Sequence, residues 1–207
     1  MKSYSLVQIY NNILSESEWL MNSHKFALKK YVAQPKFRES QLVMEMAVIR
    51  LHDMWTRFSR ELIIISAGGR PYTAAGVRLS YVPGVKKIRD VIPMLKKSYG
   101  NRWRFEPKWF FATKCLDAAN RLKIQNYNII SGALGSTNSP VEELRVVRNY
   151  MAHRSISAAD EIRAQLWWNP KIKLDVYDLS GRMVTGGTTA MENWVYRLRI
   201  VAEAAIQ

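Results

Sequence analysis

Over long stretches of this 207-residue chain, apolar residues recur every three or four positions, the period of an amphipathic helix. Between Tyr4 and Tyr31 the series Leu6, Ile9, Ile13, Leu14, Leu20 and Met21 predicts one long helix or two abutting ones, with Ser15 and Ser17 offering a break. Pro35 ends that segment. Leu42, Met46, Ile49, Trp55, Phe58, Leu62 and Ile65 then predict a long amphipathic helix over Ser40 to Ser66, stopped by Gly68-Gly69-Arg70-Pro71. From Thr73 to Gly84 neither period is kept and turn residues stand at both ends, so this stretch reads as an ordered loop.

Pro107 suits the first position of a further helix reaching about Ile124, with Trp109, Phe110, Leu116 and Leu122 as its buried candidates. A short helix is expected over Tyr127 to Leu134, closed by Gly135. Ser139-Pro140 opens the next, in which Glu142 and Glu143 meet the positive end of the helix dipole and Val141, Leu144, Val147 and Met151 form the buried stripe. Ser157-x-x-Asp160 resembles a cap for a stretch running to Trp167-Trp168. Beyond Pro170 the pattern changes. Lys171 to Tyr177 and Arg182 to Thr185, flanking Leu179-Ser180-Gly181, read as a small β-hairpin, and Thr189-x-x-Glu192 caps a carboxy-terminal helix through Ile206. The expected fold class is therefore mainly α with a small β-hairpin near the C-terminus. Residues 1–207 are read as one domain, with 170–207 a hairpin plus helix appended to the rest.

Composition adds restrictions. The single cysteine, Cys115, excludes an internal disulfide framework and any multi-cysteine metal site, which favours a reducing, cytoplasmic setting. No apolar run approaches the roughly 18 residues of a membrane span, and no signal-peptide pattern opens the chain, so no membrane partner is expected. Charge points to a polyanionic partner, since 31 Lys and Arg against 17 Asp and Glu leave a net charge of +14; nucleic acid and an anionic membrane surface both fit such an excess, as does a merely soluble basic protein, and charge alone does not choose among them. Lys86, Lys87, Arg89, Lys96, Lys97, Arg102, Arg104 and Lys108 concentrate this excess, with Tyr99, Trp103, Phe105 and Trp109 among or just beyond them. Cations interleaved with aromatic planes suit pairing with phosphates and stacking on bases, and these eight are the expected RNA-binding residues. The same pattern also fits a solvated basic face backed by core aromatics.

Few catalytic constellations are available to a chain with three histidines and one cysteine. Cys-x-x-Cys, His-Glu-x-x-His, Gly-x-Ser-x-Gly and the phosphate-binding glycine loop are all missing, and no metal or cofactor is expected. His24 and His52 read as structural or surface residues. His153 keeps different company, since Arg148-Asn149 precedes it on the same predicted helix in an Arg-x4-His spacing. This resembles the signature of the HEPN superfamily, whose ribonucleases carry Arg-x4-6-His, commonly with a polar Asn, Asp or His directly after the arginine.

The resemblance extends loosely from about residue 40 to 168 and implies a HEPN-like antiparallel helical bundle that dimerises with its motifs facing across a cleft. It also implies an endoribonuclease of toxin–antitoxin or anti-phage systems, with an antitoxin or defence-system protein as a further partner. The alternative is a catalytically inactive HEPN-like module that binds RNA or another protein. Some toxin relatives carry a tyrosine two places after the histidine; this chain has Ser155 there, which speaks against control by modification of such a tyrosine. Chemically, His153 suits proton transfer because imidazole titrates near neutrality, Arg148 offers a permanently charged donor fork for phosphoryl oxygens, and Asn149 can hydrogen-bond phosphate, ribose or the histidine. Attack by the ribose 2′-hydroxyl would leave a 2′,3′-cyclic phosphate and a 5′-hydroxyl. Five residues on an ideal helix are about 140° and about 7.5 Å apart, so the two side chains meet only if the arginine arches back, the helix is irregular near Ala152, or a second subunit completes the site. Arg57, Arg60 and Glu61 are second-rank candidates beside the same cleft, with an intrahelical Arg57–Glu61 pair as their plainer role.

Overall fold

Two long helices open the chain, as the apolar period requires. The computed structural model describes residues 5–35, 37–100, 106–136, 139–184 and 186–207. Helix α1 (Leu6–Ala33) runs unbroken past Ser15 and Ser17, because Ser17 is itself buried in the stripe between Ile13 and Leu20. Helix α2 (Arg38–Gly68) ends at the glycine pair that the sequence marks as its stop. Gly68 is required there by close approach: a Cβ at this position would lie 2.7 Å from Val91 Cγ2 and 3.0 Å from Ile88 Cα. The loop after it is ordered by backbone bonds from Leu79 to Pro71 and from Val82 to Ala67. A single 3-10 turn (Ile88–Asp90) follows, with the Asp90 carboxylate accepting from the Lys87 amide at 2.9 Å.

The remaining helices are α3 (Val91–Ser98), α4 (Ala112–Leu122), α5 (Tyr127–Leu134), α6 (Val141–His153), α7 (Ile156–Arg163), α8 (Val176–Ser180) and α9 (Ala190–Ala205). Two strands, β1 (Met183–Val184) and β2 (Thr188–Thr189), pair antiparallel with Met183 opposite Thr189. The chain divides into two compact units, Met1–Leu14, Trp55–Ser139 and Arg199–Gln207 forming the first and Ser15–Met54 with Pro140–Leu198 the second. In the first unit, Phe58, Leu62, Ile63, Leu95, Leu122 and Ile130 are fully buried; in the second, Leu20, Met44, Leu51, Leu144 and Trp194 are.

Four local expectations are corrected. The hairpin lies further along the chain than the sequence pattern puts it: Asp175 accepts a 2.8 Å bond from the Asp178 amide and starts α8, so Val176 and Leu179 are buried at helical, not strand, spacing. The turn that joins β1 and β2 uses Gly186 and Gly187 at φ of +92° and +75°, a conformation that glycine takes without cost. Pro107 lies outside α4, which begins at Ala112. Helix α7 is capped by Ser155, whose Oγ accepts from the Ala158 amide at 3.2 Å, not by Ser157, and it ends at Arg163, short of the tryptophans. Along the first turns of α2 the buried face is Met44, Ala47, Val48 and Leu51, while Leu42 and Met46 are half exposed. Apolar residues stand on two sides of α2 there, and periodicity alone does not choose between them.

Candidate active site

Helix α6 carries the Arg-x4-His pattern, and its local sequence explains both its start and its end. Pro140 precedes the first residue, Glu142 and Glu143 occupy the first turn, and Leu144, Val146, Val147 and Met151 are buried. The helix stays regular through His153, its last residue, and the Arg154 amide still bonds to the Tyr150 carbonyl at 2.8 Å. Arg154 then turns the chain in the left-handed region at φ +49°. The irregularity near Ala152 that would bring Arg148 and His153 together is therefore absent. Among the described residues no hydrogen bond or ion pair joins the two side chains within one chain.

The three arginines of this segment differ in how their charge is met. Arg145 is bound by Glu142 at 2.6 Å and approached by Glu161 at 3.4 Å. Arg154 pairs with Glu45 of α2 and lies 5.1 Å over the Tyr150 ring. Arg148 has no carboxylate partner among the described residues. Its Nη1 makes only a long 3.5 Å contact to Asn149 Oδ1, and its Nε is enclosed without an acceptor. Among the described residues the fold gives Arg148 no ion-pairing role. His153 is exposed, so its ring is open to solvent.

The fold adds a neighbour that spacing could not show. His52 of α2 is only 5% exposed, and burial pushes its imidazole below the ordinary value of 6.5, with the positive charges of Arg148 and Arg145 adding to the shift against the pull of Asp53. It stays neutral at pH 7 beside a cation. It is buried, and Arg148 is near enough that a charged imidazole would oppose the guanidinium. The sequence reading of His52 as structural is consistent with that position, but nothing in the sequence points from it to Arg148.

The second-rank residues belong to the other unit. Arg60 is held by Glu106 through bonds of 2.5 and 2.9 Å, and Glu106 also accepts from Trp109 Nε1 at 2.9 Å, so Arg60 anchors the segment before α4. Arg57 and Glu61 are exposed on α2. Of the basic segment, Lys86, Lys87, Arg89, Lys97 and Lys108 are exposed and Lys96 is half-buried; Arg102 and Arg104 lie outside the described residues, as do Trp103 and Phe105. The two aromatics that are described are not open platforms. Trp109 is 4% exposed, and Tyr99 donates to Asp117 at 2.7 Å beneath Arg121, 4.3 Å from its ring. The described part of this segment is thus a solvated cationic face over core aromatics, able to meet phosphates by charge and not by stacking.

The other reactive side chains are withdrawn. Burial pushes the Cys115 thiol up to about 12, and its Sγ donates to the Trp109 carbonyl at 2.9 Å. His24, 1% exposed, shares a 2.8 Å bond with Ser180 Oγ, and burial lowers its imidazole to about 4. Among the described residues no helix is long and apolar enough to cross a membrane, and no group of three or more His, Cys, Asp or Glu is placed to hold a metal ion. Comparison of the chain with protein-family models, with curated proteins and with solved structures finds no match in any of the three.

Proposed function

We propose that this protein is a HEPN-type endoribonuclease that needs no metal ion and cleaves RNA by attack of a ribose 2′-hydroxyl on the adjacent phosphodiester, with Arg148, Asn149 and His153 as its working residues. One observation carries the reading: Arg148 is held on α6 without a carboxylate partner among the described residues and with an unmet donor, five residues before an exposed histidine. A positioned arginine left uncompensated in a fold that pairs its neighbours Arg145 and Arg154 is suited to an incoming anion. His153 removes the proton from the 2′-hydroxyl or returns one to the leaving 5′-oxygen, and Arg148 stabilises charge growing on the non-bridging oxygens. Asn149 orients either partner.

Since α6 is regular, the arginine of one subunit acts with the histidine of another in a homodimer, which supplies both an acid and a base. The exposed cations at Lys86, Lys87, Arg89, Lys97 and Lys108 draw the RNA in. The biological setting that suits such an enzyme is a cytoplasmic toxin–antitoxin or anti-phage system with an inhibitor or trigger protein. A second reading, an inactive RNA-binding module, is favoured by the lack of a direct Arg148–His153 bond within one chain. Incubation of single-stranded RNA and DNA with the protein in chelator separates them. Cleavage of RNA alone, reduced by about 100-fold or more in both Arg148→Ala and His153→Ala while RNA binding persists, is the expected result. Binding without cleavage by the wild-type protein would establish the second reading.

A further inference from the structure

Between α1 and α2, within the second unit, an apolar groove of about 410 Å³ opens to solvent, a volume in the range of small-molecule sites. Its floor is Leu20 and Ala47, 1% and 3% exposed, and its walls are Trp19, Leu42, Val43 and Met46, each between 42% and 60% exposed. Large apolar side chains at a surface usually stand singly, whereas here they converge on one depression. The α2 residues that line it, from Leu42 to Arg50, run about 12 Å along the helix. Beyond the groove the apolar surface is covered: Phe26 of α1 lies under the Lys30 ammonium at 4.6 Å, which also stands 5.8 Å over Phe37.

Size and shape select the occupant. The uncovered walls are four side chains, far fewer than the roughly 20–30 residues a side of a stable protein interface, and a concave slot does not suit a bilayer, which takes up protruding side chains. Charge selects it further. Arg50 is the only charged residue of the lining, stands at its α2 end, is exposed, and has no carboxylate partner among the described residues. The nearby acids are turned to other groups: Glu45 pairs with Arg154, Asp53 approaches His52 at 3.7 Å, and Glu18 accepts from Asn22 at 3.2 Å. Ser23 supplies the one hydroxyl of the lining. Apolar walls that include an adaptable methionine, with a single guanidinium at one end, are complementary to a flexible hydrocarbon chain that ends in one carboxylate.

We propose that this groove binds a free fatty acid of medium chain length, its alkyl chain laid between Trp19 and the Leu42–Met46 wall and its carboxylate held by Arg50. The groove shares no residue with the proposed nuclease site, and its occupancy is read without RNA.

Equilibrium dialysis of radiolabelled decanoate, kept below its micelle concentration, is run at about 0.3 M salt, where diffuse attraction of anions to a protein of net charge +14 is screened. Octanoate, decanol and acetate are the comparison ligands. Saturable binding of decanoate is expected, about tenfold tighter than octanoate because two more methylenes leave water, and about tenfold tighter than decanol, which lacks the charge. Acetate, a carboxylate without a chain, is expected not to bind. Arg50→Gln is expected to weaken decanoate about tenfold while leaving decanol unchanged, and Met46→Glu to abolish binding of both. Both side chains are at the surface, so neither change disturbs the core, and circular dichroism checks that each variant is folded. No saturable retention of decanoate, affinity that does not depend on chain length, or decanoate binding by Arg50→Gln equal to wild type would overturn the assignment. Binding to phosphatidylglycerol vesicles, or self-association in the ultracentrifuge, abolished by Met46→Glu in a protein that retains no monomeric decanoate, would overturn it in favour of a membrane surface or a second copy of the chain.

Discussion

Two buried histidines set the acid limit of this protein. His24 is neutral in the fold, with its imidazole lowered to about 4 by burial, and in the unfolded chain it titrates near 6.5. Between these values the unfolded state binds the extra proton, so stability is fully present above about pH 6.5 and is lost as pH falls towards 4. The effect from His24 is of order 3 kcal/mol, and His52, shifted in the same direction, adds to it. Denaturant unfolding at pH 7 and at pH 4.5 is expected to show this loss, and His24→Gln to flatten it; an equal loss in the variant would place the titration elsewhere. Glu192 titrates lower still. Burial raises its carboxyl, but bonds from Lys25 and Thr189 outweigh it and hold the group down to about 2, so its pairing persists across the range in which His24 titrates.

Among the helices and turns, a local bond makes the start of α9 legible in the sequence, whereas the equally local caps at Ser155 and Asp175 start α7 and α8 where the sequence pattern does not put them. Thr189 and Glu192 exchange the reciprocal bonds of a capping box, 2.8 Å from the Thr189 amide and 3.3 Å back from the Glu192 amide, and α9 begins where that pair predicts. Tyr127–Leu134 with Gly135 at its end is equally readable. Choices decided by distant residues are not. The exposed side of α2 at Leu42 and Met46 is one, and the proximity of His52 to Arg148 is another. The turn at Gly186-Gly187 is visible as a glycine pair, yet the apolar run before it draws the expected hairpin upstream. Two glycines make a paired prediction. Gly68→Ala, which drives a Cβ into Val91 and Ile88, is expected to destabilise by about 1–3 kcal/mol. Gly132→Ala, inside α5 with nothing within 4 Å of the new Cβ, is expected to stabilise by about 0.5–1 kcal/mol. Urea unfolding of both variants checks the sign of each.

For the protein taken whole, the +14 net charge would govern how it meets RNA in the proposed activity. Affinity for single-stranded RNA is expected to fall steeply with salt, and replacing Lys86, Lys87, Lys97 and Lys108 by Gln to reduce the log–log slope by about 0.7 for each phosphate no longer neutralised. A slope unchanged in that variant would move the binding to another face. Which bond of the RNA breaks, and which two side chains break it, is the chemistry on which the proposed activity stands. Mass analysis of the ends left on a defined RNA after incubation in chelator reads this out. The expected termini are a 2′,3′-cyclic phosphate and a 5′-hydroxyl, both disappearing in Arg148→Ala and in His153→Ala. Termini bearing a 3′-hydroxyl and 5′-phosphate, or cyclic ends that persist in both variants, would refute the assignment.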